Sequence, residues 1–213
     1  MRKTRKIKIK ANPNFAIIVD GDTEVWYFQM LKRNERKINV SIEPKIPQKK
    51  SLSEQFDLAC FLSEDYTTVF WIIDFDTILK ETKEAKKGTE TPLQAFMKYR
   101  NTIKSKYKNV VIIVNNPCLE FWILLHFEKS SKYYNSCGAV EKYLKKYLKD
   151  YQKSKKYYTK QDNDIYLKLR PYLNNAIKNA KHLGSFNKHE PINAMSEMEL
   201  FYNAQEFKNY FDS

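Results

Sequence analysis

Four short runs dominate the first half of the chain: FAIIVD (15–20), INVSIEPKI (38–46), TVFWIID (68–74) and NVVIIVN (109–115). Stretches with helical spacing separate them. No other feature constrains the fold as much. Runs that stay apolar without alternating polar positions mark strands buried on both faces, which is the habit of parallel sheets. Between the first two runs, Val25, Phe28 and Leu31 recur at helical spacing. Ser51 with Glu54 three positions on reads as a capping box opening a second helix. Residues 93–106 form a third, after the loop AKKGTETP. PCLEFWILLHF (117–127) reads as a short, very apolar fourth, with Pro117 near its first turn. The order β-α-β-α-β-α-β-α predicts an α/β fold: a mostly parallel four-stranded sheet flanked by helices.

That domain is expected over 14–128. A basic arm, 1–13, precedes it. A helical, Lys/Tyr-rich extension, 129–213, is expected to pack on it, with helices near 138–150, 162–182 and 194–211. An apolar content of 42% supports a sizeable core, and 15% aromatic residues exclude disorder. No apolar window is long enough to span a bilayer, and the basic N-terminus lacks the apolar region of a secretory signal. Cys60, Cys118 and Cys137 show no CxxC spacing, so the expectation is a cytoplasmic protein with reduced thiols and no zinc site. GxGxxG and GxxxxGK[ST] loops are absent.

Acids follow three of the four strands. Asp20, Asp22 and Glu24 stand in DGDTE; Asp74 and Asp76 stand in IIDFD, where an extended segment would aim both to one side; Glu120 shares a helical face with Ile123, Leu124 and Phe127. In a parallel sheet the carboxyl ends of the strands share one edge, where ligand sites form. Clustered carboxylates repel unless a cation joins them. Oxygen ligands without His or Cys suit Mg²⁺ or Mn²⁺. The competing reading for Asp22 alone is a helix N-cap.

VDGDTEVWYF, IIDFD and NNPCLEFWILLHF, with YYTKQDNDIY and AIKNAK further on, resemble the RloB family, a bacterial family counted among Toprim-like proteins. The resemblance implies a Toprim fold, a metal-dependent phosphodiesterase acting on nucleic acid, and a role in abortive infection and anti-phage defence. It implies metal or general-base roles for Asp20, Glu24, Asp74 and Asp76, and it matches Glu120 to the glutamate of an NPxxE motif. Lys160 falls on a family-like Tyr-x-Lys feature and is the candidate for contacting the scissile phosphate. The first motif usually opens Glu-Gly. Here it is Asp20-Gly21, one methylene shorter, so either Asp20 acts through the metal or a water, or Glu24 takes over. The alternative is a non-catalytic module that binds nucleic acid or a defence partner protein through a degenerate site.

Net charge is +13, which favours polyanions. From Ser131 to Lys160 there are nine lysines, seven tyrosines and two acids. Lysines neutralise phosphates and tyrosines stack on unpaired bases, so a single strand or structured RNA fits best as partner. For Tyr143 and Tyr147 the expected role is core. His126 is expected to be hydrogen-bonded and partly buried. Phe201, Phe207 and Phe211 fit either a homodimer face or core.

Overall fold

The structure, a computed structural model, describes residues 13–43, 50–187, 189–204 and 207. Nearly all of the basic arm, and Phe211, lie outside these residues.

Among the described residues, five strands form one sheet: β1 (Phe15–Ile18), β2 (Val40–Glu43), β3 (Thr68–Asp74), β4 (Val110–Asn116) and β5 (Met195–Ser196). Their order is β2-β1-β3-β4-β5. The first four are mutually parallel, and β5 pairs antiparallel with the end of β4. The expected four strands are therefore present, and a fifth of two residues joins them. Two residues are too few to carry any periodicity, so this strand left no trace in the sequence pattern.

Among the described residues, ten short helices accompany the sheet: α1 (Asp22–Asn34), α2 (Leu52–Leu62), α3 (Phe75–Glu84), α4 (Pro92–Lys106), α5 (Leu119–Leu125), α6 (Cys137–Leu144), α7 (Lys155–Tyr158), α8 (Ile165–Leu169), α9 (Leu173–Leu183) and α10 (Glu199–Tyr202). The Ser51/Glu54 capping box is formed in full, and Thr91 with Gln94 makes a second one at α4. Caps of this kind stabilise a helix by about 1 kcal/mol each. Asp22 is not the N-cap of α1. Gly21 holds that position, and Asp22 is the exposed first residue of the helix.

Strand alternation sorts the core into two layers. Phe15, Ile17, Phe70, Ile72 and Ile113 face α1, α5 and the extension. Ala16, Ile18, Val69, Trp71, Ile73 and Ile112 face α2, α3 and α4. The first layer takes in Tyr134, Leu144, Tyr158, Leu169, Phe201 and Phe207, so the extension shares the core of residues 14–128. The extension itself is less regular than expected. The span 138–150 is helical only to Leu144, 162–182 is broken at Arg170–Tyr172, and 194–211 contains β5. Among the described residues no helix is long and apolar enough to cross a membrane.

Candidate metal centre

Strand order reverses between β1 and β3, the place where a parallel sheet leaves a crevice beyond its carboxyl ends. Asp20 follows β1 and Asp74 ends β3, one on each side of that crevice. Both line a cavity of about 380 Å³.

The DFD segment is not extended. Strand β3 stops at Asp74, and Phe75 and Asp76 already belong to α3. Phe75 packs with Phe96 and Phe186 in the second core layer. This burial winds the chain into the helix one residue earlier than strand alternation would. Asp74 and Asp76 still reach the same neighbourhood, by different contacts. Asp74 Oδ1 accepts the N–H of Leu119 at 3.0 Å. Asp76 Oδ2 accepts the N–H of Cys137 at 3.2 Å.

Glu24 curls back over the turn that starts α1. A Cβ on Gly21 would stand 2.3 Å from Glu24 Oε2. Any side chain at 21 would therefore displace this carboxylate from its place. Glu24 is only 4% exposed. Its Oε2 accepts from Thr23 Oγ1 at 3.2 Å, while its Oε1, fully screened from solvent, has no hydrogen-bond partner. The Glu24 and Asp74 carboxylates come close enough to share a proton. Burial pushes Asp74 well above the usual carboxylate range, and the charges of Glu24, Glu120 and Asp76 push it further. Burial also raises Asp76, against the opposing pull of the Cys137 N–H.

Glu120 is wholly buried. Burial raises it to about 7, although Lys153 opposes the rise. Lys153 Nζ lies 3.1 Å from Glu120 Oε1 and 3.3 Å from Glu141 Oε1. Burial lowers Lys153, but these carboxylates outweigh it and the ammonium is held charged. Tyr151 donates to Glu120 Oε1 at 2.8 Å and pairs with the Tyr158 hydroxyl at 2.6 Å.

The structure thus brings Glu24, Asp74, Asp76 and Glu120 together, with Asp20 on the wall of the adjoining cavity. It does not bring Lys160 to them. Lys160 is exposed and lines a separate hollow with Tyr157 and Lys168. The lysine among the acids is Lys153, which sequence reasoning missed. One lysine among nine in that stretch carries no distinguishing signal.

The expectation of reduced thiols is overturned as well. Cys118 and Cys137 form a disulfide with Cα atoms 5.8 Å apart, while Cys60 is free. Spacing could not reveal this pair, because the fold alone brings residues 118 and 137 together. The other readings fare as follows. His126 is buried, with Nδ1 3.0 Å from Trp122 O, and burial lowers it to about 4, so the ring is neutral. Tyr143 and Tyr147 pack against the core and both hydroxyls donate to Glu128. Lys132 sits over the rings of Tyr134 and Tyr143, and Lys146 over Tyr143 and Tyr147, which leaves Tyr133 as the exposed tyrosine of that group. Phe201 and Phe207 are core.

By donor type these carboxylates suit a hard divalent cation, although no three of them have oxygens gathered within 4.8 Å as Asp74 has with the sulfurs of Cys118 and Cys137. All four are carboxylates, their number exceeds the nearby cations, and Glu24 Oε1 is buried without a hydrogen-bond donor. Among known protein families, the one described as RloB-like protein matches residues 15–203. No curated protein and no solved structure matches the chain.

Proposed function

The chain belongs to the RloB-like protein family, and from that premise we propose that it is a Toprim-type, Mg²⁺- or Mn²⁺-dependent nuclease that hydrolyses phosphodiester bonds, serving anti-phage defence. The observation that carries this reading is the shortage of donors among buried acids: the Glu24 and Asp74 carboxylates lie together with at most a shared proton between them, and the charges of Glu120 and Asp76 are close by. Leaving such acids unpaired costs several kcal/mol, and a cation is the partner that removes the cost.

Glu24, Asp74 and Asp76 would hold the ion. When bound, it would polarise the phosphate and lower the pKa of the attacking water. Asp20, on the cavity wall, would orient that water. Glu120, held near 7, can keep or release a proton at working pH. Lys153 offsets the negative charge of the cluster and so stands ready to counter charge that develops on a phosphate. The exposed lysines of the extension supply a surface for the nucleic-acid backbone.

Incubation of the purified chain with plasmid, single-stranded DNA and structured RNA, in Mn²⁺ or EDTA, tests the proposal. Cleavage is expected in Mn²⁺ alone and is expected to vanish in the Asp74→Asn/Asp76→Asn variant. Equal cleavage by that variant would refute the assignment. Binding of nucleic acid with no cleavage of any substrate would favour the non-catalytic alternative.

A further inference from the structure

The Cys118–Cys137 disulfide adjoins the acid cluster. Cys118 is the residue before α5, which carries Glu120. Cys137 opens α6, and its N–H holds Asp76. Cys137 Sγ lies 2.8 Å from Glu120 Oε2 and 3.1 Å from Lys153 Nζ. A disulfide sulfur has no proton to give a carboxylate and little charge to offer an ammonium. A thiol satisfies the first neighbour and a thiolate the second. The surroundings of Cys137 thus suit a reduced sulfur at least as well as an oxidised one.

The geometry is also that of a ligand set. Sulfurs of Cys118 and Cys137 and a carboxylate oxygen of Asp74 all lie within 4.8 Å of one another. So do Cys137 Sγ and carboxylate oxygens of Glu120 and Glu141. Carboxylates alone select hard ions, whereas paired thiolates with oxygen donors select Zn²⁺ in a tetrahedral site. Zn–S bonds of about 2.3 Å place two tetrahedral sulfurs roughly 3.8 Å apart. Side-chain rotation reaches that separation from Cα atoms 5.8 Å apart.

We infer that reduction of Cys118–Cys137 creates a zinc site, with the two thiolates, Asp74 and Glu120 as its ligands. The reductant is a dithiol: it gives two electrons and two protons to the S–S bond and is itself left as a disulfide. Two thiols result. Zinc then displaces both thiol protons to solvent. Lys153, beside Cys137, favours the loss of the proton there. Asp74 belongs to both ligand sets, so zinc withdraws it from the hard-ion cradle, and the centre has two exclusive metal states chosen by thiol redox. That last consequence rests on the proposed hard-metal reading; the zinc site does not.

The test uses the full chain in two forms, oxidised and reduced by a phosphine, with free thiols counted in each. Zn²⁺ is titrated against a chromogenic chelator, and Co²⁺ is titrated in parallel as a spectroscopic probe. The reduced chain is expected to take up one zinc and to show a thiolate-to-cobalt charge-transfer band; the oxidised chain shows neither. Cys118→Ser and Cys137→Ser, checked for folding by circular dichroism, should each weaken zinc by more than the 10–100-fold typical of losing an outer-shell partner. Cys60→Ser should change nothing. The inference falls if the reduced chain binds no zinc, if oxidation leaves zinc binding intact, or if either cysteine variant binds as the unmodified chain does. The comparison of the two redox forms needs no variant. Mn²⁺ titration of the oxidised form, followed by electron paramagnetic resonance, reads the hard-ion cradle separately, so failure of either proposal is told from failure of the other.

Discussion

Two kinds of buried acid occur in this molecule. Asp164 and Glu197 are 0% and 1% exposed. Asp164 Oδ1 caps α8 through the Leu167 N–H, and Oδ2 accepts from Arg33 and Asn34. Glu197 Oε2 accepts the Val114 N–H and Oε1 the Phe186 N–H, with Arg100 at 3.7 Å. Every oxygen has a donor. Glu24 and Asp74 are instead turned toward one another, with one oxygen of Glu24 unserved. Both kinds defy the rule that acids stay in water. Only the second kind is short of donors. Burial by itself therefore does not mark a site; Glu24 and Asp74 stand apart because they are buried against each other with further acids, Glu120 and Asp76, close by.

The contrast is open to direct attack. The largest effect is expected from Asp74→Asn/Asp76→Asn: Mn²⁺ affinity should fall more than about 100-fold, while the metal-free chain keeps or gains stability because repulsion is relieved. Titration of Mn²⁺ and thermal melts in EDTA decide it, and a less stable metal-free variant with intact Mn²⁺ binding would erase the distinction. Next comes pH. Glu120 is raised from 4.5 to about 7, so the folded state binds its proton more tightly than the unfolded state does. The metal-free chain should therefore lose stability as pH climbs from 4.5 through 7, by about 3 kcal/mol from this group. Urea midpoints in EDTA at pH 5 and pH 8 measure this, and saturating Mn²⁺ should flatten the slope. Midpoints independent of pH in EDTA would count against a buried, proton-holding Glu120.

Asp164→Ala should behave in the opposite sense to the double variant. It removes a cap and an ion pair, so about 2 kcal/mol of stability should go, with Mn²⁺ affinity untouched. Weaker Mn²⁺ binding in that variant would mean that the two kinds of acid are not separable. The smallest effect is expected from Gly21→Ala. Backbone strain is not at issue, since φ is −111°; the added methyl simply takes the space of the Glu24 carboxylate. Mn²⁺ affinity should drop about tenfold with less than about 1 kcal/mol lost from the fold. An unchanged affinity would remove Glu24 from the ligand set.

Much of this centre was legible in the chain because apolar runs announce strands and parallel strands share an edge. That logic placed Asp20, Asp74 and Glu120 at the carboxyl edge from pattern alone. It failed where position depends on tertiary contacts. Phe75 enters the second core layer and so starts α3, which no local signal foretold. Lys153 and Tyr151 reach Glu120 from an irregular segment whose course is set by packing. Cys118 and Cys137 meet only because α6 returns to the start of α5. Lys160 was chosen for its motif, and a motif carries no direction in space.

Phe15, in the first strand, packs at a tilt against Phe207, with ring centroids 4.4 Å apart, and the outer edge of β4 is paired only with Met195–Ser196. Native pairing thus joins residues far apart in sequence, and contacts of that kind form slowly. While the ribosome is still making this chain, the acids are present but Lys153 and the closing strand are not. On the proposed reading, the acids of the first half would not form the whole centre before Lys153 and Met195–Ser196 have joined them.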